Sequence, residues 1–168
     1  MASDLRIRMN SSVDPAQLLA DTQACLQTLL GTGNDFGLQF AHPFPAAEQQ
    51  HDFATTIHST LYPDDMAELT MLYIESVPGY EAPEEEGWQT FITIRAALDN
   101  PLKYALAAAL AISLANTQND PNVYDDEQRW NPQSRVSTGD LLQYLRVKDS
   151  PGTLPVALKK FYEQLNTR

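Results

Sequence analysis

Three histidines, one cysteine and 22 acidic residues are the material for chemistry in this chain. His51-Asp52 is the kind of pair that begins a metal site, but such a site needs further imidazole and carboxylate ligands. Only His42 and His58 remain to supply imidazole. His51 and His58 lie seven residues apart, so a helix would separate them by about 10 Å, too far for two direct ligands on one ion. They read as solvated or capping histidines. Asp64, Asp65 and Glu68 form one oxygen cluster, and Asp125, Asp126 and Glu127 another. Oxygen ligands suit calcium or magnesium, yet neither group has the spaced acids and glycine of a calcium-binding loop. No metal and no cofactor is expected. The sequence has no glycine-rich phosphate loop, His-Glu-x-x-His helix or Gly-x-Ser-x-Gly turn. Ser137, Thr138, Asp140 and His58 are the only nucleophile and base material, and no spacing assembles them into a catalytic set. Cys25 falls in an apolar helical pattern and reads as core, since a reactive thiol needs a nearby base and exposure.

What the residue types do offer is recognition. No lysine or arginine occurs between Arg8 and Arg95, and those 86 residues hold thirteen acids. The formal net charge is −11. A field of one sign steers partners of the other. Nucleic acid is excluded as a partner, because phosphate binding needs clustered cations. Tyr80, Trp88, Tyr124 and Trp130 lie beside acidic segments, and aromatic anchors ringed by charge are typical of interface centres. The alternative is that Trp88 and Trp130 cap the core at strand ends. The candidate partner-binding residues are Tyr80, Glu81, Glu84, Glu85, Glu86 and Trp88 around one loop. Asp64, Asp65, Asp125, Asp126 and Trp130 are added from two others.

The elements that must position these residues follow from periodicity. Leu5, Ile7 and Met9 alternate with polar residues and predict a strand. Asp14-Pro15 is a cap followed by an N1 proline. It starts a helix striped by Leu18, Leu19, Thr22, Cys25, Leu26 and Leu29 and ended by Gly31 and Gly33. Phe36, Leu38 and Phe40 predict a second strand. Phe53, Ile57 and Leu61 recur every four residues and predict a helix over 46–62. A strand is expected over 69–77, with a helix ending before Pro78 as the alternative, then a solvated loop over 79–87 and the clearest strand over 88–97. Asp99-Asn100-Pro101 starts a second helix, 102–116, apolar on almost every side and therefore central. Val123-Tyr124 predicts a short edge strand and 131–137 a loop. Two helices, one striped by Leu141, Leu142 and Leu145 and one by Leu158, Phe161, Tyr162 and Leu165, close the chain.

The expectation is one α+β domain over residues 1–168. It has a central, mostly antiparallel sheet of about four to five strands, with helices packed mainly on one face. Met1-Ala2-Ser3-Asp4 lacks the cationic and apolar regions of a secretory signal, and no apolar run reaches the ~20 residues of a membrane span. A cytoplasmic protein without a membrane partner is expected. An acidic α+β chain without catalytic motifs resembles the immunity proteins encoded beside bacterial toxins. The segment from Asp99-Asn100-Pro101-Leu102 to Trp130, an Ala/Leu-rich helix followed by a short strand and an acidic turn, shares that likeness. The resemblance implies a binding protein, not an enzyme, that blocks a basic toxin domain as a monomer or homodimer. Two alternatives stay open: a chaperone or adaptor for a secreted effector, and an enzyme of another type with a pocket of His42, His51, His58 and the Asp64–Glu68 acids.

Overall fold

A computed structural model describes residues 2–41, 54–59, 68–78, 88–97, 100–149 and 152–167. The elements run β1 (Ala2–Met9), α1 (Pro15–Leu30), β2 (Leu38–Phe40), β3 (Ala54–Ser59), β4 (Glu68–Pro78), β5 (Trp88–Ala97), α2 (Pro101–Asn116), β6 (Asn122–Tyr124), β7 (Arg135–Ser137), α3 (Thr138–Leu145) and α4 (Leu154–Asn166).

Both long helices start where an Asx-Pro pair satisfies the first backbone donors. Asp14 Oδ1 accepts from the N–H groups of Ala16 at 3.0 Å and Gln17 at 3.4 Å. Asn100 Oδ1 accepts from Leu102 N–H at 2.8 Å. In each case the proline fills a position whose N–H would be orphaned anyway. Gly31 ends α1 in the left-handed region at φ 68, where its N–H reaches the Gln27 carbonyl.

The described strands form one sheet in the order β2-β3-β4-β5-β1-β6-β7, and every pairing is antiparallel. The fold is α+β, as expected, with its helices on the sheet. Four strands have six residues or more; β2, β6 and β7 have three each. β1 pairs with β5 over its full length, from Ala2 opposite Ala97 to Met9 opposite Thr90. β6 joins β1 through the single pair Arg6–Tyr124. Because β5 and β6 flank β1 and oppose it, they run parallel to each other, and α2 is the crossover between them.

Alternation decides which face is covered. Ser3, Leu5 and Ile7 are buried, as are Ala96, Ile94 and Ile92 opposite them. The apolar ones among them join the core with Val123, Val136 and α2. α2 is buried at every position from Ala105 to Ala115, because it packs on β1, β5 and β6 while α1, α3 and α4 surround it. Its alanines let the neighbours approach closely. The opposite face of β1 carries Asp4, Arg6 and Arg8.

Three expectations change. Residues 54–59 form β3, not part of a helix; Thr55, Ile57 and Ser59 are buried in alternation, and Ser59 Oγ donates to the Phe36 carbonyl at 2.6 Å. Arg135–Ser137 is a strand rather than loop, because Val136 pairs with Val123. β6 is consequently an inner strand, with β7 at the edge. The remainder of 46–62 and the loop expected over 79–87 fall outside the described residues. Among the described residues no helix is long and apolar enough to cross a membrane.

Candidate partner-binding surface

The loop after β6 contains three of the acids singled out from sequence, and the structure sends each to a different partner. Asp125 is fully buried. Its Oδ2 accepts from the backbone N–H of Trp130 at 2.7 Å and of Asn131 at 3.2 Å, and its Oδ1 from that of Arg129 at 3.3 Å. Gln128 supplies the turn that aims these donors: it sits at φ 54, and its N–H bonds the Asp125 carbonyl at 3.0 Å. A left-handed conformation costs a non-glycine residue about 1–2 kcal/mol, offset here by the bonds that the turn makes possible. Burial pushes the Asp125 carboxyl above its ordinary pKa, and the backbone donors only partly oppose this. Asp126 Oδ2 meets Arg6 Nη2 at 2.7 Å, and Glu127 Oε2 meets Arg129 Nε at 2.9 Å. The three carboxylates diverge, and among the described residues no group of three His, Cys, Asp or Glu side chains could hold a metal ion.

Trp130 is a core residue. It has no exposed surface, its indole N–H donates to Ser3 Oγ at 3.0 Å, and its ring lies 4.8 Å from that of Tyr104. Neither Trp130 nor Asp125 therefore presents a surface to a partner, which corrects their place among the partner-binding candidates. A buried tryptophan must satisfy its N–H, and the serine that does so lies 127 residues away in sequence. Asp126 is exposed but already paired. Asp64, Asp65, Tyr80, Glu81, Glu84, Glu85 and Glu86 lie outside the described residues; Trp88 opens β5, where its backbone pairs with Pro78.

Sequence reasoning missed the charge cluster on the face of β1 turned away from α2. Arg95 grips Asp4 through two bonds of 2.8 and 2.9 Å, which raises the arginine further above its ordinary pKa. Arg6 also stacks over Phe91, 5.2 Å from its centroid, and Arg135 over Tyr124 at 5.6 Å. Asp120 lies between Arg8 at 4.0 Å and Arg135 at 3.4 Å, and accepts from Asn122 Nδ2 and from Tyr124 OH at 3.0 Å. Burial pushes its carboxyl up, but those two hydrogen bonds and the two arginines together hold it below the ordinary value. Burial, and then the same contact with Asp120, raise the Tyr124 phenol. This cluster is charge against charge within one chain. It fastens the β6–β7 ribbon to β1, which otherwise shares one residue pair with it.

The acids of α1 and its flanks are different. Asp14 caps the helix, Asp21 accepts from Gln17 Nε2 at 2.8 Å, and Asp35 accepts from Gln23 Nε2 at 3.1 Å and Gly37 N–H at 2.9 Å. All their partners are neutral, and none of the three has an ion pair among the described residues. Beside Asp21, a cleft of about 360 Å3 opens between α1, α2 and α3. Cys25 lies in it, half-buried; burial pushes its thiol up to about 12, with a hydrogen bond to Ser113 acting weakly the other way. A thiol held in its protonated form is no nucleophile at neutral pH. The chain matches no known family model, no curated protein and no solved structure.

Proposed function

We propose that this chain is a protein-binding module that engages a basic protein partner through its acidic side. In its most specific form, the proposal is a cytoplasmic immunity protein that binds and inhibits a cognate bacterial toxin domain. One observation carries the reading. The arginines of β1, β5 and β7 are each paired with carboxylates of the same chain, whereas Asp14, Asp21 and Asp35 have no cationic counterpart among the described residues. These three carboxylates of α1 and its flanks thus keep their negative charge among the described residues, where they can attract a cation from outside. Unlike charges speed association, and screening over about 8 Å at physiological salt removes that advantage.

The test has two stages. The full chain captures its partner from the source cells, and the purified partner is then mixed with it at rising ionic strength. The association rate falls steeply with salt, and an excess of the chain abolishes the partner's activity. An association rate indifferent to salt removes the electrostatic basis of the reading. A partner that stays fully active when bound removes the immunity form of it.

A further inference from the structure

The cleft beside Asp21 has the form of a receptor for one long cationic side chain. Its α1 wall is made by Asp21, Ala24, Cys25 and Thr28. Those positions are spaced as i, i+3, i+4 and i+7 and so share one helix face. Ile112 and Ser113 of α2 form the floor, both only 3% exposed. Leu142 of α3 borders it. Ala24 is exposed and small, which keeps the wall low and the cleft open. At about 360 Å3 the space lies near the lower end of the roughly 300–1,000 Å3 of small-ligand sites.

We propose that this cleft seats an arginine or lysine side chain of the basic partner, with Asp21 as its counter-ion. The proposal rests on the reading of the chain as a binder of basic proteins and names where the partner's anchor goes. An arginine or lysine stem lies along apolar surface while its head stays with polar groups. Here the stem meets Ala24, Ile112 and Leu142, and the head meets Asp21. Only one oxygen of Asp21 is engaged, by an uncharged amide. Asn116, also in the lining, has its Oδ1 oriented by Thr138 Oγ1 at 2.7 Å and offers a second acceptor direction. Asp21 is the only charged group in the lining among the described residues, so a carboxylate or phosphate ligand would be repelled and a cation drawn in.

The probe is the peptide Arg-Gly-Arg-Gly-Arg, titrated calorimetrically into the full chain and its variants at low salt. Ala24→Leu fills the cleft without changing charge; because the site is exposed and leucine is a good helix former, the urea unfolding midpoint stays that of the parent. Asp21→Asn removes the counter-ion. Asp14→Asn is the control, since it removes one charge from the same helix about 10 Å away and keeps the cap. Ala24→Leu and Asp21→Asn each weaken binding about tenfold, and Asp14→Asn less than about twofold. Two results overturn the cleft while sparing the broader reading: Ala24→Leu binding like the parent, or Asp14→Asn weakening binding as much as Asp21→Asn. Both mean that diffuse charge alone attracts the peptide. No binding to the parent chain overturns the cleft as well, and the partner's salt dependence then judges the broader reading by itself.

Discussion

Replacing Asp125 by alanine tests whether one buried carboxylate organises the loop that seals Trp130 into the core. The substitution removes the acceptor of three backbone donors, those of Arg129, Trp130 and Asn131. Trp130 and Asn131 are buried, so water cannot readily replace the lost oxygen. A buried donor left unsatisfied costs about 1–3 kcal/mol, so these two alone cost about 2–6 kcal/mol. Part of this is returned, because the mutant no longer buries a charge. The net expectation is a loss of about 2–4 kcal/mol, or roughly 4–16 °C in melting temperature for a chain of this size. Urea unfolding at pH 7, followed by tryptophan fluorescence, measures it. Asp125→Asn keeps an oxygen for two donors but turns an amide N–H toward the third, so its loss is smaller, about 1 kcal/mol. The pH dependence supplies an independent check. The folded carboxyl titrates above the ordinary value of about 3.9, so the native state binds its proton more tightly than the unfolded state does. Parent stability relative to Asp125→Asn therefore rises as pH falls from the raised folded value toward about 3.9, and is constant below it. An Asp125→Ala loss under about 0.5 kcal/mol would refute the reasoning, because it would place the loop donors in contact with water.

The remaining predictions address separate parts of the fold. Thr55→Lys costs at least about 3 kcal/mol in urea unfolding and Ala54→Lys less than about 1, because β3 buries Thr55 and exposes Ala54; equal losses would contradict the alternation. Asp120 behaves oppositely to Asp125: its depressed pKa gives stability present above about 3.9 and lost as pH falls through the lower folded value, so the parent's advantage over Asp120→Asn disappears in acid. An advantage that grows in acid would reverse the assignment. Cys25, with its thiol near 12, reacts with iodoacetamide at pH 8 roughly a thousand times more slowly than a free thiol until urea unfolds the chain. A native rate within tenfold of the free thiol would show a normal pKa.

Local chemistry made much of this fold legible. Asp14-Pro15 and Asn100-Pro101 mark helix starts because capping involves only residues two or three positions away. β1 and β5 are visible because an apolar face repeats every second residue. β3 was hidden by an arithmetic coincidence. Phe53, Ile57 and Leu61 are spaced by four, and a spacing of four places residues on one face of a strand as well as of a helix. The residues that settle the matter, Thr55 and Ser59, are polar, and their burial depends on partners elsewhere. β7 was hidden because a three-residue strand with one apolar side chain has no period to read.

The charge pattern shows the same limit at a larger scale. Along the chain, acids gather before Arg95 and cations after it, which suggested two poles. In space, β1 places Arg6 and Arg8 against Asp126 and Asp120, more than 110 residues later. Part of the apparent polarity is consumed as the internal fastening of the β6–β7 ribbon. Acids that look available for a partner when read in sequence, Asp125 and Asp126, are committed to the chain itself. Among the described residues, Asp14, Asp21 and Asp35 keep their charge uncompensated because their partners are neutral: backbone N–H groups at Asp14, a glutamine one turn away at Asp21, and a glutamine of α1 with the Gly37 N–H at Asp35. Local neutral bonding leaves the field of a carboxylate intact, whereas a distant arginine cancels it. For a protein that works by attraction, the candidate acids are therefore those that reach solvent and have only neutral partners, and the structural acids are those that are buried, like Asp125, or paired with an arginine, like Asp120 and Asp126. Asp21, the one beside a cleft, is where these two criteria point to a binding role.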